Sequence, residues 1–299
     1  MKRLQRLLAD RLAAASLAVL AAILAAGALA PWIAPHPPDE VDMALRYAPW
    51  SLDYPLGNDQ LGRCVLSRVL HGIRPSVLYV LAAVLASVGF GTAVGMAAGL
   101  LGGRTDALLM RLCDVMLSFP GYVMTLAVIG VLGTGLENIL LAFILMKWAW
   151  FARVARTAVR RHADAGYVLF ARTLGAGRLT LLRRHLLPAC LPELAVLASG
   201  SFGTTLLQVS GLSFLGLGIQ APHAEWGMML SEARQAMFSR PEQLLAPGFM
   251  IVLTVSAVNF LSDALQTALD PQAGGPRTAA AASGEPEAAA AALLRKEAI

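Results

Sequence analysis

Charge is scarce in this chain: only 14% of its 299 residues are Asp, Glu, Lys or Arg, against roughly 25% in soluble domains. That shortage excludes a fully water-exposed surface along most of the sequence. Cysteine is scarce too. Cys64, Cys113 and Cys190 lie far apart and form no C-x-x-C, so neither a disulfide framework nor a zinc site is implied. There is no G-x4-G-K-[ST] loop, so the chain does not bind ATP in that way. H-E-x-x-H and G-x-S-x-G are also missing, and no acidic or histidine pair sits inside an apolar run. An embedded enzyme would need two reactive polar groups facing each other within such runs, with Lys147, Gln208 and Asn259 as the residues to scan.

Apolar sequence fills the space that charge leaves. Hydrophobic residues make up 57% of the chain and the mean hydropathy is +0.63. A membrane helix needs roughly 20 apolar residues. The charge-poor runs predict spans at Leu12–Ile33, Pro75–Gly103, Val115–Leu136, Ile139–Ala152, Leu194 to about Gly216, and Gln243–Ser262. The expected fold is an all-α polytopic membrane protein of six transmembrane helices. The first run follows Lys2, Arg3, Arg6 and Arg11 as a signal peptide would, but its length predicts a retained span.

The net charge of +5 does not point to nucleic acid, because the basic residues sit in short connections between apolar runs. They gather in the N-terminal segment, at Arg104 and Arg111, at Arg153–Arg184 and in the tail. Fewer lie on the other side, at Arg46, Arg63, Arg68, Arg74, Arg234 and Arg240. This bias predicts cytoplasmic N- and C-termini. From Gln272 onwards Ala, Gly, Pro and Glu predict a disordered tail up to Ala288, with room for a short helix from Ala289 to Lys296.

Within the spans, Gly91, Gly95 and Gly99 share one helix face and predict close helix packing. Arg104 and Asp106 predict a tight turn, Arg111 and Asp114 an i,i+3 pair, and Pro120 a kink. Glu137 and Asn138 mark a short loop. Lys147 stands alone in an apolar run, which suits either a pathway residue or a lysine snorkelling to the headgroups.

The most organised polar stretch is 164–192. Tyr167, Phe170, Ala171 and Leu174 recur at i, i+3, i+4 and i+7, the spacing of one helix face. Gly175 and Gly177 predict its end. A second short helix would carry Leu179, Leu182 and Leu186 opposite Arg183, Arg184 and His185, with Leu187-Pro188 as its stop.

The spacing Ala171-x3-Gly175-x9-His185-x-Leu187-Pro188 resembles the EAA-x3-G-x9-I-x-LP loop of ABC importer permeases, with Leu169, Phe170 and His185 departing from it. LGNDQLGRCVLSR, ending at Arg68, resembles the LGTDQLGRDVLSR segment of the dipeptide, oligopeptide and nickel class; Cys64 replaces an Asp. VLGTGLEN (131–138), WAWFAR (148–153) and SFLGLGIQAPHAEW (213–226) look most like the second permease subunit of nickel importers. The similarity runs from about Trp32 to Pro271.

The resemblance implies a type I ABC importer permease fold in a bacterial inner membrane. Three parts are expected: residues 1–73 with the first span and an outer segment, the transmembrane domain at 74–268, and a tail at 269–299. It also implies a heterodimer with a second permease, two cytoplasmic ATPase subunits carrying the ATP and Mg, and an extracytoplasmic binding protein. Membrane lipid surrounds the spans, and this chain binds no cofactor itself. Tyr167, Phe170, Ala171, Leu174, Gly175, Leu187 and Pro188 would form the ATPase-coupling loop, and Lys147, Gln208 and Asn259 are candidates for the pathway. The substrate would be nickel or a nickel chelate, alternatively a di- or oligopeptide. His36, His71, His162, His185 and His223 all fall in loops or at span edges, so a metal would cross hydrated or inside a chelator. A purely structural scaffold would instead tolerate substitution at Gly175.

Overall fold

A computed structural model describes residues 10–269. The basic residues Lys2, Arg3 and Arg6 and the tail beyond Leu269, with its expected disorder and short helix, lie outside the described residues. Among those described, five helices are long and apolar enough to cross a membrane, and six if one bent pair counts as a span.

Helix α1 is Arg11–Ile33, capped by Asp10, whose side chain accepts from the Leu12 amide. Helix α2 runs unbroken through Val65–Leu101, 37 residues, so the residues just before the expected second span and that span are one rod. Pro75 is accommodated by a wide π turn at Arg74–Tyr79; widening the turn lets the helix pass a residue that has no N–H to give. The same device corrects the expected stop at Leu187-Pro188. A π turn at Leu182–Leu186 precedes Pro188, and helix α7 continues through Arg178–Phe214.

The stretch expected as the third span is divided. Helices α3 (Gly103–Ser118) and α4 (Gly121–Leu132) meet at 87° across Phe119-Pro120. Pro120 therefore breaks the helix, where a kink was expected. Helix α5 is Leu136–Ala163, with Glu137 in its first turn and Asn138 beside it. These two residues are not loop: the loop is Gly133–Gly135, and Asn138 donates to the Leu132 and Gly133 carbonyls that end α4. Helices α6 (Gly166–Thr173), α8 (Trp226–Ala233) and α9 (Glu242–Leu269) are the other helices labelled among the described residues.

Helix α2 lies along α5, and the glycine stripe is the reason. A Cβ on Gly91 would collide with the Trp148 carbonyl oxygen, and one on Gly95 with that of Ala152. Small residues let membrane helices approach this closely where lipid offers no hydrophobic contrast. The main core joins α1, α2, α5, α7, α8 and α9 through residues such as Ile23, Ile73, Phe143, Leu206, Trp226 and Ile251. Cys64, Cys113 and Cys190 are buried and free.

The expected pairing of Arg111 with Asp114 is replaced by pairing between helices. Asp106 sits in the first turn of α3, past a turn made by Gly102 and Gly103, and receives Arg156 and Arg160 of α5. Asp114 takes Arg153. Asp106 is buried, and a buried carboxylate needs cations and hydrogen bonds, which the two α5 arginines supply; Asp114 is half-exposed, and burial does not explain its choice of Arg153.

Candidate functional site

Two places concentrate the polar and exposed features of the chain. The first is the α5–α7 connection. Val168 of α6 is fully buried and packs with Val159, Leu181, Leu186 and Cys190, while Ala171, Ala176 and Leu187 lean on the same cluster. This anchor fixes which face of α6 points away. Tyr167, Phe170 and Leu174 are exposed, Phe170 at 65% and Leu174 at 72%. Pro188 is exposed at the start of the long part of α7, and Ala171 and Leu187 are half-buried.

The turn after α6 has a definite cause. The Ala176 amide donates to the Ala171 carbonyl at 3.0 Å and the Gly175 amide to Arg172 at 2.9 Å. This pair of bonds is the Schellman arrangement, which needs a left-handed residue at its glycine. Gly175 supplies it with φ +81°. Gly177, with φ −67°, is ordinary extended backbone and starts the next helix instead. So Ala171 and Gly175 are one device: a small residue at the third-last helical position and a glycine past the end. Exposed Arg172, Arg178, Arg183 and Arg184 surround the apolar edge.

The second place is a cavity of about 180 Å³ behind the α3–α4 bend. Lys147 and Gln208 both line it, with Phe119, Tyr122, Phe143 and Trp150 as aromatic walls. The Lys147 ammonium donates to Thr205 Oγ1 at 2.8 Å and stands 5.6 Å from the Phe143 ring centre, within the range of cation–π attraction. Asn259 is not in this cavity. It is exposed on α9, with its Oδ1 beside Gly203 of α7.

A third feature had no place among the candidates. Arg63 and Arg68 are fully buried at the opposite end from α6, where Glu232 of α8 and Asp59 neutralise them. Arg68 also donates to the Pro222 carbonyl at 3.0 Å. Cys64 sits at the cap of α2 and makes no side-chain cap bond, where an Asp would accept from the first-turn amides. The signal in the run LGNDQLGRCVLSR was Asp59 four positions before Arg63, the spacing of their ion pair; nothing in the sequence pointed to Glu232. Nearby, Glu225 caps α8 while Trp226 Nε1 donates to the Val69 carbonyl, which docks α8 onto α2.

Residues 91–274 match the family of binding-protein-dependent transport system inner membrane components. The chain belongs to that family. Residues 3–49 also match the N-terminal transmembrane domain of oligopeptide transport permease C. The permease is 48% identical over 90% of its length to the metal-staphylopine import system permease protein CntC of Staphylococcus aureus, covering 93% of that protein. It is 40% identical to the nickel transport system permease protein NikC of Escherichia coli K12, over 85% of this chain and 92% of the other. The probable D,D-dipeptide transport system permease protein DdpC of the same strain is 38% identical, with 82% of each covered. In three dimensions the permease resembles a chain of the inward-facing MetNI methionine ABC transporter, at 17% identity and a TM-score of 0.51, covering 68% of this chain and 96% of the other. The helices thus form the type I ABC importer permease fold, and the protein is an ABC importer permease.

Proposed function

We propose that this permease forms half of the translocation pathway of an ATP-driven importer that carries nickel, or a similar metal, inside a small organic chelator. The observation that carries the reading is the similarity to a metal-staphylopine permease across nearly the whole chain. The lining of the cavity supports a chelate over a bare ion. Nickel favours imidazole and other neutral or anionic donors, whereas Lys147 presents a positive charge that repels a dication. Among the described residues no group of three His, Cys, Asp or Glu is placed to hold a metal.

A second permease supplies the other half of the pathway, two ATPase subunits carry ATP and Mg, and a binding protein delivers substrate from outside. Both termini are cytoplasmic. Tyr167, Phe170 and Leu174 then seat in the ATPase while Val168 holds α6 to the permease, so a push on the loop reaches α2, α5 and α7 through their shared cluster. The catalytic site for ATP belongs to the partners, and this chain is a transport subunit.

The test is uptake into proteoliposomes holding the full complex, with metal counted by mass spectrometry and chelator by its own label. Metal and chelator should enter together. Rapid nickel entry without chelator, or dipeptide uptake with no metal chelate carried, would overturn the reading; the second outcome fits the similarity to the D,D-dipeptide permease.

A further inference from the structure

The geometry points to the Lys147–Gln208 cavity as a binding site for a carboxylate-bearing, amino-acid-like group of the cargo. The inference rests on the permease reading above and narrows its substrate class.

Lys147 is a cation without a carboxylate: none of the residues lining the cavity is acidic. Its bond to Thr205 occupies one of three N–H donors. Thr205 has no proton to spare for a ligand, because its own hydroxyl donates to the Ser201 carbonyl. An ammonium at this depth is costly unless something neutralises it, and lysines inside membrane proteins usually face a cavity or a charge partner.

One helical turn along α7, Gln208 Oε1 is buried and accepts no hydrogen bond. Buried carboxamide oxygens seldom remain unpaired. The cavity therefore lacks an anion for Lys147, and a turn of the Gln208 carboxamide, whose O and N positions are interchangeable, presents its unpaired oxygen to an N–H of the same ligand. An α-amino-acid or peptide-like carboxylate offers both within one short fragment. Phe119, Tyr122, Phe143 and Trp150 line the remaining wall and suit its carbon skeleton. Two sources share this chemistry, a metal chelator built from amino acids and the C-terminus of a short peptide.

The experiment compares free carboxylates with their amides in proteoliposomes carrying the full complex and its binding protein. One arm uses nickel bound to l-histidine against nickel bound to l-histidinamide, which keeps the imidazole and amine ligands and removes the anion. The other uses dialanine against dialanine amide. For the arm that the wild type transports, Lys147→Met should lower uptake of the carboxylate form at least about tenfold more than that of the amide form, the worth of one hydrogen bond to a charged group. Lys147→Arg should restore the preference. Assembly and ATPase stimulation by loaded binding protein report that the variant is folded. Should Lys147→Met fail to assemble, Gln208→Glu, which brings a carboxylate to the same cavity, should abolish the preference in its place.

A preference unchanged in these variants places the selection in the binding protein and overturns the site. So does a wild type that shows no preference. Uptake confined to dialanine defeats the nickel reading while leaving the carboxylate site standing on the peptide arm. A wild type that carries neither substrate defeats both.

Discussion

Arg63 and Arg68 share one oxygen: each donates to Glu232 Oε2 at 2.9 Å. Both guanidinium groups are essentially inaccessible, at 0% and 1% side-chain exposure, and Glu232 retains only 11%. The cluster joins two segments far apart in sequence, since Asp59, Arg63 and Arg68 lie within one short stretch and Glu232, on α8, is 164 positions beyond Arg68. Paired charges removed from water gain little over an apolar replacement, but breaking such a pair leaves a charge stranded. Glu232→Ala should therefore destabilise the folded chain by about 3 kcal/mol, because the only carboxylates left to Arg68 are Asp59 and Asp39, each at 3.6 Å, and its carbonyl bond to Pro222 carries no countercharge. Thermal unfolding in detergent measures this, and an unchanged midpoint would show that the cluster carries no such weight.

Gly175 offers a test of the coupling loop in which sterics and backbone strain separate. A Cβ at this position meets nothing within 4 Å, so space is not the constraint. The constraint is the positive φ of +81°, because a left-handed conformation costs an ordinary side chain about 1–2 kcal/mol. Gly175→Val should leave the protein inserted and assembled while reducing both uptake and ATPase stimulation by loaded binding protein. Gly175→Asn should retain more of both, since Asn tolerates this conformation. Normal stimulation and uptake in the Val variant would remove the loop from the coupling route.

The contrast between Gly175 and Pro188 shows what could be read in advance. Gly175 acts through its own backbone and the four residues before it, so its turn was legible in the spacing Ala171-x3-Gly175. Pro188 looked like a stop because proline interrupts the ordinary helix ladder, yet the π turn at Leu182–Leu186 lets α7 continue. Nothing local announces that turn. The ion pairs were illegible for a related reason: Asp106 and Arg156 are 50 positions apart, while pattern reading sees only neighbours three or four along. The exposed faces of Tyr167, Phe170 and Leu174 followed from periodicity, but Val168, which holds that face outward, falls between the periodic positions. Lys147 and Gln208 stood out as polar residues in apolar runs, and only the fold brings them to one cavity and leaves Asn259 elsewhere.

Glu225 makes stability depend on pH in a definite direction. It is fully buried in the connection between α7 and α8 and accepts from Ser76 Oγ, Gly227 N and Met228 N. Burial pushes its carboxyl above the usual range, and the Gly227 and Met228 amides offset part of that rise. The folded state then holds the proton to higher pH than the unfolded chain does. Stability must fall as pH rises from the usual carboxylate range through the raised value, and level off beyond it. Unfolding midpoints of the wild type should decline across that window more than those of Glu225→Gln. Parallel profiles would mean that the amides fully compensate the burial.

The glycine stripe makes a sharper prediction than packing arguments usually allow, because its members meet different kinds of atom. Gly95→Ala drives a methyl into the Ala152 carbonyl oxygen, which belongs to the α5 backbone. Overpacking of this kind costs about 1–3 kcal/mol, and no side-chain truncation on α5 can relieve it. At Gly99 the nearest atom is Val159 Cγ1, at 2.8 Å. Val159→Ala removes that atom but keeps Val159 Cβ, 2.9 Å away, so it should rescue Gly99→Ala only in part, a coupling that a double-mutant cycle detects. Gly89, with nothing within 4 Å, should accept Ala freely and gain from its better helix propensity. Unfolding midpoints of the purified permease would rank the three positions. If Gly95→Ala proves as harmless as Gly89→Ala, α2 and α5 are not in the close backbone contact on which the stripe depends.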